Sequence, residues 1–445
     1  MKKTWITTSV LGMTLVAGVT AYTYEAPRHV EAKPQTESKK KVKNVIMMIP
    51  DGYSASYATN YRWYNGGDET ELDRQLKGMM RTYSASSKVT DSAAAGTAMA
   101  TGTKTNNGTI GMNPSGQEVE SILDRADRVG KSTGLVATSA ITHATPAVFA
   151  SHVASRANEA DIAKQYMDEM KVDVLLGGGQ KYFFDKENGG VQEAGNLVKK
   201  AERAGYQYAD SLESLQETDG RKVLGLFAEE GMAPELDREL TKQPSLSTMT
   251  KKAIQTLNKD KEGFFLMVEG SQIDWAGHAH DAAWAMKDSD AFHKAVKEAM
   301  RFAAKDKNTL VVVAGDHETG GMTVGGYDEY VAKPEVLKNV KATGDQMVRQ
   351  FNDDLTNIAE IVKQETSFDL TAQEVKTLQT ADSKKRVMLL NEMISKRAYV
   401  GWTTTVHTGV DVPLYAYGPH SDQFAGLHDN TDLPGLIANA MKLKK

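Results

Sequence analysis

The sequence predicts an α/β protein, a three-layer sandwich with a mostly parallel central sheet and helices on both faces. Three observations carry that expectation. Short apolar runs alternate along the chain with stretches of helical periodicity. The runs are continuously apolar, as strands covered on both faces require, and do not alternate apolar with polar. Three of them stop on a carboxylate, and open α/β sheets place ligand sites beyond the carboxyl ends of their strands. A length of 445 residues suffices for one large domain with an insertion, or for two domains.

Taken in order, the chain opens with Lys2 and Lys3, followed by a mostly apolar or small stretch without charge from residue 5 to residue 23. Val19-Thr20-Ala21 fits a small-residue cleavage site, so residues 1–21 read as a signal peptide. An uncleaved anchor is the alternative, weakened by several threonines and glycines. Residues 22–43, with Pro27, Pro34 and three lysines from Lys39 to Lys41, read as a polar basic tether able to touch an anionic cell surface. Residues 44–445 are then the folded domain. Its first strand, 45–49, ends in Pro50-Asp51-Gly52. A second, 135–138, precedes Thr142-His143-Ala144-Thr145-Pro146, and a third, 173–176, runs into Gly177, Gly178 and Gly179. Residues 264–268 run into Glu269-Gly270, and 310–314 into Gly315-Asp316-His317-Glu318. Ile162, Tyr166, Met167 and Met170 share one helical face, as do Phe292, Ala295, Val296, Ala299 and Phe302. Residues 321–400 read as a mostly helical insertion. One helix there carries Met347, Val348, Phe351, Leu355, Ile358 and Val362, and a second covers 387–394. The last strand is 414–417.

Composition narrows the chemistry. A net charge of −5 gives no reason to expect nucleic-acid binding. The chain has no cysteine, which excludes disulfides, cysteine-ligated zinc and lipidated cysteine. Any metal must therefore be held by His, Asp and Glu. Asp51, Glu269 and Asp316 each follow a strand run, and His143 follows a fourth. Asp274 and His278 are four apart, on one face of a helix, and able to grip one ion; His280 and Asp281 are alternative ligands beside them. Asp316 and the adjacent His317 both reach an ion if the backbone turns there, and His407 precedes the final strand. Ser92 opens the small-residue run Ser92-Ala93-Ala94-Ala95-Gly96, at the start of a predicted helix where the dipole favours an anion. It reads as a nucleophile or simply as a helix cap.

These motifs together resemble the bacterial alkaline phosphatases. The resemblance rests on Pro50-Asp51-Gly52, Thr90-Asp91-Ser92-Ala93-Ala94, His143-Ala144-Thr145-Pro146-Ala147 with Arg156 downstream, Glu269-Gly270 with Ile273-Asp274 and His278, Asp316-His317-Glu318-Thr319, and His407-Thr408-Gly409 with Asp411-Val412-Pro413. It runs from about residue 44 to the end, apart from the insertion. It implies hydrolysis of phosphate monoesters through a phosphoserine on Ser92, with Arg156 clamping the phosphate and an alkaline pH optimum. It also implies two zinc ions per chain, one on Asp274, His278 and His407, the other on Asp51, Asp316 and His317 and bound to the Ser92 oxygen. A magnesium ion would sit on Asp51, Thr145 and Glu269, an all-oxygen set that suits it. A homodimer and an exported, secreted or surface-associated enzyme are further implications.

Two positions depart from the family's best-known pattern. His143 stands where some relatives have Asp, and Trp275 where some have Lys or His; both flank the magnesium site. An imidazole there shifts the expected preference towards a transition metal. Among competing readings, a sulfatase needs x-Pro-x-Arg after its nucleophile, and Ser92-Ala93-Ala94-Ala95 lacks both residues. A phosphodiesterase of the same superfamily and a non-enzymatic phosphate- or metal-binding protein are the remaining alternatives. The former is separated by diester turnover and the latter by failure to form phosphoserine.

Overall fold

Val45, Ile46, Met47, Met48 and Ile49 are each at most 1% exposed, which only a strand with neighbours on both sides and cover on both faces achieves. The computed structural model describes residues 42–443; the expected signal peptide and nearly all of the tether lie outside the described residues. In chain order the strands are β1 (Asn44–Pro50), β2 (Leu76–Arg81), β3 (Ser132–Ala140), β4 (Val174–Gly178), β5 (Tyr206–Ala209) and β6 (Lys222–Leu226). They continue with β7 (Phe264–Gly270), β8 (Thr309–Ala314), β9 (Glu318–Thr319), β10 (His407–Thr408), β11 (Val412–Tyr417) and β12 (Gly426–Asp429). One ten-stranded sheet has the order β12-β2-β11-β8-β1-β7-β3-β4-β6-β5, and β9 and β10 form a separate two-stranded ladder. Within the large sheet only β11 runs against its neighbours. The mostly parallel sheet of the sequence reading is therefore present.

Side chains on β1 alternate between two cores, as the strand period requires. Val45, Met47 and Ile49 join Leu310, Val312, Phe265 and Met267 on one face, under helices Ile122–Arg128, Glu159–Glu169 and Leu433–Met441. Ile46 and Met48 join Val311, Val313, Leu266 and Val268 on the other, under helices Leu246–Leu257 and Ala282–Asp306. Three layers result. Register then brings the chemistry together: Ile49 lies opposite Glu269 and Met48 opposite Val313, so Asp51, Glu269 and Asp316 emerge at one edge.

Several elements differ from the sequence reading. The helix expected to carry Met347 to Val362 is two helices, Gly344–Arg349 and Ile358–Thr366. Between them the Asn352 and Asp354 carboxamide and carboxylate oxygens take the Thr356 N–H, and Leu355 has φ 56°, so local capping beats helical continuity. Met170 is not on its helix but is the left-handed cap that ends it. Strands β2, β5, β6, β9, β10 and β12 went unpredicted because they are short, and β2 is largely half-exposed.

The helix Ser92–Thr101 is buried along its whole length and packs on the short helix Ala144–Ala147. Gly96 permits the approach: a Cβ there would meet Val148 Cγ2 at 2.9 Å. Gly96→Val should lower stability by about 1–3 kcal/mol through overpacking. Adding Val148→Ala should restore most of the loss in a denaturant titration, and additive losses would show that the contact is not the cause.

Candidate active site

Ser92 is the first residue of its helix and 2% exposed. The preceding Asp91 supplies the cap, its Oδ1 accepting from Ala94 N at 3.0 Å. The cap reading of this stretch thus belongs to Asp91, and the Ser92 hydroxyl is free for other work. Its Oγ lies 3.1 Å from His317 Nε2. Asp91 has a second role, accepting from Arg156 Nη1 at 3.2 Å. The other Arg156 terminal nitrogen donates to His143 Nε2 at 2.9 Å, which fixes the plane of the guanidinium beside the serine.

Two groups of ligand-type side chains converge here. Asp274, His278 and His407 form one, Asp51, Asp316 and His317 the other, with the ligand atoms of each within 4.8 Å of one another. In the first, His278 Nε2 is 3.3 Å from Asp274 Oδ2 and His407 Nε2 3.5 Å from Asp274 Oδ1. Each imidazole has its Nδ1 on a backbone carbonyl, Thr405 at 2.7 Å for His278 and Thr90 at 2.8 Å for His407. With Nδ1 donating to the carbonyl, Nε2 is the nitrogen turned to Asp274: it donates there while the ring is protonated, and it is the atom whose lone pair an ion would take. In the second group His317 Nε2 is 3.2 Å from Asp316 Oδ2 and 3.5 Å from Asp51 Oδ1. Thr145 Oγ1 donates to Asp51 Oδ2 at 3.3 Å, and Glu269 lies beside Asp51 at the strand ends. His143 meets Trp275 edge-on, ring centres 5.9 Å apart.

The electrostatics are those of a cation site. Asp51, Glu269, Asp274 and Asp316 are at most 4% exposed, and among the described residues none of them has a lysine or arginine partner; Arg156 is held nearby on Asp91 and His143. Burial, then repulsion from Asp316, Asp274 and Glu269, holds the Asp51 carboxyl well above its usual range. Burial pushes Glu269 up to about 8 and, with Asp274 beside it, Asp316 up to about 6. Burial would raise Asp274 too, but hydrogen bonds from His278 and His407 hold it well below. Burial and then the Arg156 charge push His143 down to about 3, so it is a neutral acceptor for that guanidinium. Asp51 Oδ1, Glu269 Oε1 and Asp316 Oδ2 are buried with no hydrogen-bond donor. Protein groups leave such oxygens unpaired only at a cost, and divalent cations satisfy both the charge and the lone pairs.

His280 and Asp281, alternatives at the sequence level, are elsewhere. His280 has φ 53°, stacks on Trp402 and spends its ring nitrogens on Glu392 and the Thr404 carbonyl; Asp281 caps helix Ala282–Asp306. Two residues without an assigned role prove central. Thr319 is fully buried and donates its hydroxyl to Asp274 Oδ1, with His317 Nδ1 at 3.3 Å, so it joins the two ligand groups. Glu318 accepts from Thr408 Oγ1 and from the Gly321 and Met322 amides, locking the ladder in which His407 lies opposite Thr319. Both follow directly on the Asp316-His317 pair, and that adjacency was the signal available. Gly52 completes the packing: at φ +74°, its missing Cβ would meet Thr319 Oγ1 at 2.7 Å and Asp274 Cα at 2.9 Å.

Comparison with known proteins agrees with this geometry. The family model for alkaline phosphatase matches residues 42–443. Alkaline phosphatase 4 of Bacillus subtilis is 42% identical, over 97% of this chain and 95% of that protein. The cold-active alkaline phosphatase of the psychrophile Shewanella sp. superposes with a TM-score of 0.83 at 35% identity, covering 89% of this chain and 99% of that one. A histidine-to-aspartate variant of the alkaline phosphatase from the Antarctic bacterium TAB5, with Mg bound in the M3 site, gives a TM-score of 0.68 at 29% identity over 91% of this chain and 99% of its own.

Removing divalent cations with a chelator should lower the melting temperature by at least about 5 °C, since ions that bind only the folded state stabilise it. Calorimetry with and without restored metal checks this, and an unchanged transition would contradict it. Thr319→Val, which keeps the volume and removes the hydroxyl, should weaken metal binding about 10–100-fold while the fold persists. Equilibrium dialysis against a competing chelator reads that affinity directly.

Proposed function

The chain belongs to the alkaline phosphatase family, and on that premise we propose that it hydrolyses phosphate monoesters through a phosphoserine on Ser92, with two zinc ions and one magnesium ion per chain. The observation that carries the reading is the Ser92 hydroxyl, buried at a helix N-terminus, 3.1 Å from His317 Nε2 and next in sequence to the Asp91 that anchors Arg156. A phosphate dianion entering there meets the positive end of the helix dipole and a guanidinium whose plane is already fixed.

Asp274, His278 and His407 would hold one zinc, Asp51, Asp316 and His317 the other, and Asp51, Thr145 and Glu269 magnesium; the donor types fit, with nitrogen and oxygen for zinc and oxygen alone for magnesium. When bound, these ions supply the positive charge that lowers the pKa of the serine hydroxyl and stabilises the departing oxygen. Ser92 Oγ gives up its proton to solvent and attacks phosphorus in line with the ester oxygen, which takes a proton back from water as it leaves as the alcohol. The bond to the alcohol breaks as the bond to Ser92 forms. Arg156 holds two non-bridging oxygens through both steps. Water then attacks the phosphoserine from the side the alcohol left, returning the serine and releasing inorganic phosphate. An alkaline optimum follows from the need for deprotonated nucleophiles in both steps.

His143, whose ring is held neutral, is our candidate for the residue that sets the third site's preference; among the similar structures, a histidine-to-aspartate variant of the TAB5 enzyme has Mg bound in its M3 site. Residues 1–21 and 22–43 support export, with retention at the cell surface through the basic tether, and family membership supports a homodimer.

Ser92→Ala should abolish nearly all turnover while preserving the fold and metal content, and acid-quenched wild type should carry a phosphoryl adduct on Ser92 by mass spectrometry. An adduct elsewhere, or substantial turnover in the variant, would sink the covalent route. Comparing turnover of a monoester with that of the corresponding diester tests the substrate class. His143→Asp should tighten magnesium binding several-fold, because a carboxylate replaces a neutral imidazole beside an oxygen-only set. Magnesium-dependent activation curves of the two proteins measure it; coincident curves would refute the assignment.

A further inference from the structure

His280 sits in the turn that joins helix Gln272–His278 to helix Ala282–Asp306 and belongs to neither ligand group. It is 6% exposed, and its backbone is left-handed. Asparagine and glycine adopt that region at least as readily as histidine, so the backbone alone does not select an imidazole here. The helix Ser383–Arg397 of the insertion grips the turn: Ser395 Oγ donates to the His280 carbonyl at 2.8 Å and Asn391 Nδ2 to the Ala279 carbonyl at 2.8 Å. Glu392, on the same helix, meets His280 Nδ1 at 3.0 Å. The other ring nitrogen, Nε2, lies 2.8 Å from the Thr404 carbonyl. Trp402 stacks on the ring, with the planes 2° apart and the centres at 5.2 Å. Both hydrogen-bond partners are acceptors, so the ring acts as a donor on each side.

What the ring holds stands next to a ligand. The carbonyl of Thr405, the following residue, accepts from His278 Nδ1 at 2.7 Å. Thr405 is exposed and Thr404 half-exposed, so burial does not fix this loop and hydrogen bonds must. On its other side, the Thr403 and Thr404 amides donate to the Gly320 carbonyl at 3.0 and 3.2 Å, which ties the loop to the segment that carries Asp316 and His317. Donation from His280 to the Thr404 carbonyl sets the direction of the planar peptide leading into Thr405, and with it where Thr405 aims its own carbonyl. An imidazole whose Nδ1 acceptor is misplaced turns Nε2 away from Asp274, and partners that orient a ligand imidazole set its affinity for metal.

We propose that His280 is a positioning residue for the metal site of Asp274, His278 and His407: by holding the Thr404 carbonyl it keeps the Thr405 carbonyl on His278 Nδ1 and so aims His278 Nε2 at the ion. This role rests on the reading of those three residues as a zinc site. It makes the helix Ser383–Arg397 part of the site's support, although neither ligand group includes a residue of that helix.

The test reads zinc affinity rather than turnover. The zinc-loaded full chain is titrated with a competing chelator, and His278→Ala marks which bound ion belongs to this group. His280→Gln carries a donor at the place of Nε2 and keeps the Thr404 bond; His280→Asn carries one at the place of Nδ1 and keeps only Glu392. The marked ion should bind about tenfold more weakly in His280→Asn and within about threefold of wild type in His280→Gln, with the other ions unchanged in both. A merely structural role gives the opposite order, because asparagine tolerates the left-handed backbone better than glutamine does. Thermal melts at saturating zinc record that component separately. Glu392→Met, at a half-buried helix position, should weaken the same ion about threefold, and it decides the matter if the histidine variants fail to fold. Wild-type affinity in His280→Asn, equal losses in the two histidine variants, or wild-type affinity in Glu392→Met would overturn the proposal. If His278→Ala shifts no ion, the zinc assignment itself fails; if it shifts one and His280→Asn does not, only the role of His280 fails.

Discussion

Asp51, Glu269, Asp274 and Asp316 are held together where water cannot screen them, and their mutual repulsion is what the surrounding structure must contain. A single carboxylate at a strand end can swing into solvent. These cannot, because β1, β7 and β8 are central strands with side chains packed on both faces. Sheet register sets the spacing of Asp51, Glu269 and Asp316, with Ile49 opposite Glu269 and Met48 opposite Val313, and helix Gln272–His278 adds Asp274. Relief must come from positive charge brought to the acids. Part of it comes from His278 and His407 on Asp274, and the rest falls to cations. A rigid sheet that forbids the acids to separate is in effect a device for demanding metal.

The arrangement around that core is graded. Ligand imidazoles are oriented by carbonyls of Thr90 and Thr405, which belong to loops and not to the sheet. Thr319 and Glu318 hold those loops to the strand ends. Arg156 is held differently, by a carboxylate on one side and a neutral imidazole on the other, and keeps part of its fork for an incoming anion. The low pKa of His143 matters here: a protonated ring would repel the guanidinium it now accepts from.

What could be read from the sequence follows the range of the forces involved. Strands buried on both faces announce themselves as apolar runs, so β1, β3, β4, β7, β8 and β11 were legible, and the acids at their ends with them. Asp274 and His278 were legible because four residues make one helical turn. Ser92 was ambiguous in isolation, and only the company of the other motifs favoured a nucleophile over a cap. Thr319 could be noticed beside the Asp316-His317 pair, but its role was not legible, because its hydroxyl acts directly on Asp274, 45 residues away in the chain. His280 misled for the opposite reason: proximity to His278 in sequence suggested a ligand, and a left-handed backbone at that position turns the ring towards Trp402 instead. The break before Ile358 depended on Asn352 and Asp354 side chains taking a backbone N–H, a contest that apolar periodicity does not register.

The β9–β10 ladder joins chain segments separated by all of the helices between residues 320 and 406. His407 therefore reaches its partners only after that long loop has closed, and loop-closure entropy rises slowly with length. The closing contact is made twice over, by the ladder's backbone and by the Glu318–Thr408 side chains, while the loop's own fold contributes none of the other ligands. The intervening helices are bound in as well: Met347, Ile358, Leu390 and Ile394 join the core on one face of the sheet, and the Thr405 carbonyl near the loop's end orients His278. Damage to the packing of the insertion should therefore reach the ligand group of His407 without touching any ligand.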